Sequence, residues 1–195
     1  MKIKKEKPKK FLNWLWWFIW EDDSWLSWVV NVILAFIIVK FLVYPGLGYM
    51  LGTSLPIVAV VSGSMEHNGL GFDKWWDVNQ NWYLANGVTK DEMGSYRFKN
   101  GFNKGDIIIL IGTKAENTKM GDIIVYSTTK YKYPIIHRVV NSWNDEGYYF
   151  ETKGDNNGQK DSEPVYYSNV LGKAWFKIPY LGWIKLIFTE IIGGN

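Results

Sequence analysis

The sequence contains no cysteine and only two histidines among its 195 residues. The first absence excludes disulfide bonds, zinc–thiolate sites and thiol nucleophiles, and the second leaves little room for a histidine-rich metal site. Net charge is also small, at +3, and six lysines lie in residues 1–10 alone. The remainder is therefore close to neutral, which argues against a nucleic-acid partner. The mean hydropathy is slightly negative, which excludes a multi-span membrane protein.

One long apolar run is present, at residues 25–44, and Lys40 is its only charge. Twenty helical residues reach about 30 Å, which is the thickness of a bilayer core. Asp23 or Ser24 is a suitable N-cap, and Pro45-Gly46 is a plausible stop. The sequence therefore predicts a single transmembrane helix over residues 25–44.

The flanking charges predict the orientation of this helix. Lysines crowd its N-terminal side, whereas residues 45–73 contain no Lys or Arg. The positive-inside rule then places residues 1–24 in the cytoplasm and residues 45–195 outside. Within the cytoplasmic part, the aromatic stretch 11–20 is too short to span and predicts an interfacial helix, with packing against a partner subunit as the alternative.

After Gly52 the pattern changes to short β-branched runs separated by turn residues, and long helices do not fit between most of them. We predict a mainly β fold, with an antiparallel β-sheet domain behind the N-terminal transmembrane helix. Residues 66–104 are rich in Trp, Gly and Asn and predict an insert of unassigned structure. Residues 178–192 predict either an amphipathic helix on the membrane surface or a segment that closes the core. The strand candidates are Ile57–Val61, Ile107–Ile111, Ile123–Ser127, Ile135–Val140 and Tyr148–Thr152.

Candidate catalytic residues lie in short motifs. Without cysteine, a nucleophile must be Ser, Thr, Lys or a carboxylate, and a serine needs a neighbouring base. Ser64 lies in SGSM directly after an apolar run, and His137 lies in IIHRVV on a predicted strand. Asp155 lies in KGDNN, and Asp161 follows six residues later. Each motif taken singly is more typical of a turn or of a core histidine.

Taken together, the motifs are more specific. SGSM at 62–65, MGDIIVY at 120–126, IIHRVV at 135–140 and KGDNN at 153–157 with Asp161 stand in this order behind one membrane anchor. This arrangement resembles type I signal peptidases, in the archaeal and endoplasmic-reticulum branch that uses histidine. The resemblance implies a membrane-bound serine endopeptidase that removes N-terminal signal peptides from exported proteins and needs no metal or cofactor.

The resemblance also implies roles for individual residues. Ser64 matches the nucleophile and His137 the general base. Asp161 matches the orienting acid, while Asp155 belongs to the turn that shapes the site and stays open as the alternative acid. The backbone N–H of Ser64 and the Ser62 hydroxyl match the oxyanion hole.

Two features depart from the family. His67 stands where relatives usually have proline, and we expect its side chain to leave a turn and point to solvent, with a catalytic role as a minor alternative. The insert at 66–104 is long, so the sequence leaves open what covers the site. Because the insert is foreign to the endoplasmic-reticulum branch of the family, we expect the cytoplasmic membrane of an archaeon rather than an endoplasmic-reticulum membrane.

The predicted substrate is an extended peptide that adds as a strand between 57–61 and 133–136. Ile57, Val60, Ile135 and Ile136 are the candidate substrate-binding residues, bounding shallow pockets for small side chains. The expected partners are signal-peptide-bearing preproteins and the lipid bilayer, with proximity to the Sec translocon.

Two other functions stay open at this point. One is a membrane-anchored serine hydrolase that uses a Ser-Lys dyad, with Lys132 or Lys153 as the base. The other is a non-catalytic anchored β domain that binds a partner through the Trp-rich insert.

Overall fold

The computed structural model describes residues 10–184, 186 and 187. The predictions for residues 1–9, and for the end of the 178–192 segment beyond residue 187, lie outside the described residues. The chain divides after Leu47 into two compact units, which we describe separately.

The N-terminal unit consists of helices. Helix α1 spans Phe11–Trp20 and α2 spans Trp25–Ile38, and the Asn31 side chain donates to the Ile19 carbonyl at 2.9 Å. The predicted N-cap is confirmed at Ser24, whose side chain accepts from the Ser27 N–H. A π-helical segment, Val39–Val43, continues α2 into α3, Tyr44–Leu51. Among the described residues this helix, Trp25–Leu51, is the one long and apolar enough to cross a membrane.

The prediction that Pro45-Gly46 ends this helix is wrong, because the helix continues to Leu51. Proline lacks an N–H and its ring crowds the carbonyl four residues earlier. The π-helical segment just before it loosens the turn, since the Tyr44 N–H donates to the Val39 carbonyl five residues back. The helix ends instead at Gly52, whose φ of 66° suits glycine at the end of a helix.

The second unit is built on a seven-stranded sheet in which every pairing is antiparallel. This confirms the predicted mainly β fold. The spatial order is β1-β2-β7-β3-β4-β5-β6. The strands are β1 Ile57–Ala59, β2 Ile107–Ile111, β3 Ile123–Tyr126, β4 Ile135–Asn144, β5 Tyr148–Lys153, β6 Val165–Tyr166 and β7 Val170–Ile178.

Strand β7 is not among the predicted strands, yet it lies inside the sheet between β2 and β3. Gly172, Lys173 and Lys177 interrupt its apolar pattern, which explains why periodicity does not find it. By contrast, β2 matches the predicted bounds, and β1, β3, β4 and β5 overlap their candidates.

Side-chain alternation on β4 divides the sheet into two faces. His137 and Val139 point to one face, and Ile136 and Arg138 point to the other. Val139 packs in a core with Ile124 and other side chains of the first face, and Ile136 packs in the larger core of the second. Consecutive residues of one strand therefore serve different parts of the domain.

The 66–104 insert contains helix α4, Phe72–Ala85, and helix α5, Lys90–Ser95. A capping box begins α5, with Thr89 and Glu92 exchanging hydrogen bonds. The insert has an aromatic core of its own, made of Trp75, Trp76, Tyr83, Val88 and Met93.

The described part of the 178–192 segment shares features of both interpretations. Leu186 is buried, and a Cβ on Gly105 would lie 2.1 Å from Trp183 Nε1, so this segment packs closely on the turn before β2. Leu181, Ile184 and Ile187 are exposed. Its location at a membrane surface stays a prediction.

Candidate active site

A cleft of about 450 Å³ lies between the chain around β1 and the start of β4. The segments 58–62 and 131–137 form its walls, and Ser64, Asn157 and Asp161 complete it. The fold thus brings together three of the residues singled out from the sequence, Ser64, His137 and Asp161.

His137 and Asp161 are directly hydrogen-bonded. The distance from His137 Nδ1 to Asp161 Oδ2 is 2.7 Å, and the histidine is 6% exposed. The same oxygen accepts from the Tyr126 hydroxyl at 2.9 Å and from Thr152 Oγ1 at 2.6 Å. A carboxylate held by three donors keeps a fixed orientation toward the imidazole.

The surroundings of Asp161 favour its charged form. Burial raises its pKa, but the hydrogen bond and charge of His137, with the hydroxyls of Thr152 and Tyr126, outweigh burial and lower the pKa below its usual value. The carboxylate is therefore ionised at neutral pH.

Ser64 lies in the bend that follows β1. Its hydroxyl is 3.3 Å from the Ser62 hydroxyl, and the described residues show no hydrogen bond between Ser64 and His137. Both side chains nevertheless line the same cleft, and such contacts often tighten only when substrate is bound. Because Asp161 occupies Nδ1 of His137, Nε2 is the nitrogen left for Ser64.

Asp155 lies elsewhere and has a different partner. It is fully buried, and its two oxygens accept from Arg138 Nε at 2.8 Å and Arg138 Nη2 at 2.7 Å. Burial raises the pKa of Asp155, but the charge and hydrogen bonds of Arg138, together with His67, outweigh burial and hold the pKa below its usual value. Asp155 is thus paired on the opposite face of β4 from His137, and the geometry favours Asp161 as the partner of the imidazole.

The expectation that His67 points to solvent is wrong. His67 is 2% exposed, and its Nε2 lies 3.2 Å from Asp155 Oδ2. Its ring stacks on Trp75 with centroids 4.0 Å apart and planes 7° from parallel. An aromatic neighbour from the insert and a buried carboxylate draw the side chain inward, and a local turn pattern reveals neither.

The predicted substrate-binding residues divide in the structure. Val60, Ile135 and Ile136 line the cleft, although Val60 and Ile136 are also buried in the core. Ile57 does not line it; Val58 does. Ile57 is the first residue of β1, and the lining of the cleft along this strand ends one position later, at Val58.

The two lysines of the alternative dyad lie in different places. Lys132 lines the cleft and is exposed. Lys153 is buried, donates to the Gly154 carbonyl at 3.1 Å and lies 4.7 Å from the centre of the Tyr83 ring, away from the cleft lining. Burial lowers the pKa of Lys153 to about 8.

Sequence reasoning missed Tyr126, Thr152 and Arg138. Tyr126 and Thr152 reach Asp161 only because β3, β4 and β5 pair in the observed register, which single motifs do not reveal. Arg138 adjoins His137 in IIHRVV, and strand alternation is the one signal that separates their faces. Within residues 10–184, 186 and 187, no group of three His, Asp or Glu side chains is placed to hold a metal ion.

Comparison with known proteins gives a consistent result. No protein-family model matches the chain. The chain is 28% identical over 159 residues to the signal peptidase complex catalytic subunit SEC11 of Scheffersomyces stipitis, covering 77% of this chain and 75% of that protein. The corresponding subunit of Eremothecium gossypii is 28% identical with the same coverage. Human SEC11C is 26% identical, covering 76% of this chain and 65% of that protein.

The chain is therefore similar to type I signal peptidases over about three quarters of its length. The resemblance expected from the four ordered motifs is confirmed. These relatives come from yeasts and mammals, and they favour an endoplasmic-reticulum membrane over the predicted cytoplasmic membrane of an archaeon.

Proposed function

We propose that this protein is a membrane-anchored serine endopeptidase that removes signal peptides from preproteins, with Ser64 as nucleophile, His137 as general base and Asp161 as orienting acid. The observation that carries the proposal is the 2.7 Å contact between His137 Nδ1 and Asp161, in the same cleft as Ser64. Similarity to the signal peptidase catalytic subunits supports the substrate class.

In the proposed reaction, the Ser64 hydroxyl attacks the carbonyl carbon of the scissile peptide bond. His137 Nε2 takes the hydroxyl proton, and Asp161 stabilises the imidazolium through the Nδ1–H. The imidazolium then protonates the leaving amine, which releases the mature protein and leaves an acyl ester on Ser64. A water molecule, deprotonated by the same imidazole, hydrolyses that ester and restores the serine.

The developing oxyanion needs donors in the bend between β1 and Ser64. The Ser64 backbone N–H and the Ser62 hydroxyl are the proposed donors, and the 3.3 Å approach of the two hydroxyls supports their closeness. Preorganised donors of this kind each contribute about 3 kcal/mol to the transition state.

The edges that border the cleft fit an extended peptide. Within the described part of the chain, strand β1 pairs with β2 alone, and β5 begins to pair with β4 at Arg138. Along residues 135–137 the side of β4 away from β3 therefore has no partner strand among the described residues. An extended signal peptide could pair there, with Ile135 bounding a pocket for a small side chain.

We also propose that the helix Trp25–Leu51 spans the membrane, with residues 1–24 on the cytoplasmic side and the catalytic domain on the other. The lysine-rich N-terminus supports this orientation. The domain would then meet preproteins as they emerge, close to the translocon.

The test is cleavage of a precursor with an Ala-x-Ala site by the purified full chain in liposomes. Wild type should cut, and Ser64→Ala and His137→Ala should each lose nearly all activity while keeping the wild-type melting temperature. Full activity in His137→Ala would contradict the histidine base and favour Lys132 as the base instead. Full activity in folded Ser64→Ala would remove the proposed nucleophile.

A further inference from the structure

The 66–104 insert begins and ends at the nucleophile loop, residues 62–65. The Met65 carbonyl accepts from the Phe102 N–H at 2.9 Å, and Glu66 Oε1 accepts from the Lys104 N–H at 2.7 Å. The two ends of the insert are thus held together within two residues of Ser64. The ends of the insert are therefore in direct contact with the nucleophile loop.

A turn at residues 154–156 also forms hydrogen bonds with the nucleophile loop. The Asn156 N–H donates to the Ser64 carbonyl at 2.8 Å, and Asn156 Nδ2 donates to the Gly63 carbonyl at 3.0 Å. A Cβ at Gly154 would lie 2.6 Å from the Ser64 carbonyl oxygen, which shows how closely the backbones approach. The position of this turn therefore helps to set the position of Ser64.

His67 joins the insert to that turn. Its Nε2 lies 3.2 Å from Asp155 Oδ2, in the middle of the turn, and its ring stacks on Trp75 in the aromatic core of the insert. Arg138 already gives Asp155 a full counter-charge, so the carboxylate does not need His67 for neutralisation. The imidazole adds instead a second donor to Oδ2, which restricts the orientation of the carboxylate.

The other ring nitrogen of His67, Nδ1, makes an unfavourable contribution to the free energy of folding. Nδ1 is buried and has no hydrogen-bond partner among the residues that the structure describes. An unpaired buried nitrogen is unfavourable, and an apolar side chain would fill this space without that penalty. The contribution of His67 is thus its directed Nε2–H bond to Asp155 rather than the filling of space.

We propose that His67 is a positioning residue, which couples the aromatic core of the insert to Asp155 and thereby holds the 154–156 turn that orients Ser64. This inference rests on the proposed function, because it assumes that Ser64 is the nucleophile. It gives the insert a role in the catalytic domain.

The test compares three variants in the liposome assay. His67→Leu keeps the side-chain volume and removes the donor, and we expect kcat to fall about 10-fold or more with KM within about 2-fold of wild type. His67→Gln places an amide donor near the position of Nε2 and should recover most of kcat. Thr89→Ala removes the capping box of α5, so it should lower the melting temperature and leave kcat unchanged.

A second readout does not depend on cleavage. Hydrogen exchange at the Asn156 amide, which donates to Ser64, should accelerate in His67→Leu and stay at the wild-type rate in Thr89→Ala. Wild-type kcat and Asn156 exchange in His67→Leu would overturn the proposal. An equal loss of kcat in Thr89→Ala would also overturn the proposal, because the effect of His67→Leu would then be explained by a general loss of stability. Failure of the proposed function itself would be recognised separately, as full cleavage by Ser64→Ala.

Discussion

Asp155 and Asp161 lie six residues apart in the chain, but they serve opposite faces of β4. Asp155 is fully buried and paired with the permanent charge of Arg138. Asp161 lies beside the cleft, and its partners are an imidazole and two hydroxyls. A carboxylate paired with a permanent cation already has its charge balanced in the fold, whereas Asp161, paired with an imidazole, is placed to stabilise the imidazolium of the proposed mechanism.

The largest expected effect comes from Asp161→Asn. The amide cannot stabilise the imidazolium and favours the wrong tautomer of His137, so kcat should fall by about 10⁴-fold, as for the corresponding change in a serine-protease triad. Steady-state cleavage checks this, with circular dichroism to confirm folding. A loss of less than about 10-fold would contradict the assignment of Asp161.

Arg138→Met should lower stability and also kcat, because Asp155 lies in the turn that holds Ser64. It removes all five guanidinium donors, which bond Asp155 and the carbonyls of Arg97, Phe98 and Gly121, and leaves a buried carboxylate without its counter-charge. The free energy of unfolding should fall by about 3–5 kcal/mol. Urea denaturation measures this, and a fall below about 1 kcal/mol would mean that the pair is not structural.

Lys153 gives the second face a distinct pH dependence. Burial holds its pKa near 8 in the folded protein, below the usual value of 10.5. Between these two values the unfolded state binds more protons, so stability should rise with pH by on the order of 2 kcal/mol from this group. Lys153→Met should remove that rise. Denaturation curves at pH 8 and pH 10 compare the two proteins, and equal slopes would exclude a depressed pKa.

The smallest effect should come from Thr152→Val, which removes one of the three donors to Asp161 Oδ2 and preserves shape. We expect a fall in kcat of about 10-fold with little change in KM, because the carboxylate is less firmly oriented. Thr118→Val is a matched control. Thr118 is also buried, but its hydroxyl contacts the Thr113 hydroxyl and the Lys114 carbonyl instead of Asp161. Equal losses in both variants would point to general destabilisation.

The parts of the fold that depend on local sequence pattern can be predicted from the sequence. The apolar run that begins at Trp25 predicts the helix, and alternation predicts β2 and β4. The sequence is insufficient where distant contacts decide. Strand β7 is polar in places and forms because two neighbours flank it, and the helix passes Pro45 because a π-helical turn precedes it.

The candidate site follows the same division. Ordered motifs are enough to single out Ser64, His137 and Asp161 as candidates, and the structure brings these three to one cleft. The partners of Asp161 depend on strand register, and the inward position of His67 depends on Trp75 of an insert whose sequence has weak periodicity. Burial of a polar residue is a property of the whole fold, and no local pattern reports it.

The most direct test of the central claim is the low-field NMR signal of the His137 Nδ1 proton, recorded for wild type, Asp161→Asn and Asp155→Asn under conditions where each is folded. A carboxylate bonded to Nδ1–H shifts this proton to low field. We predict a signal that is lost in Asp161→Asn and retained in Asp155→Asn. A signal that survives Asp161→Asn and disappears in Asp155→Asn would contradict the pairing of His137 with Asp161.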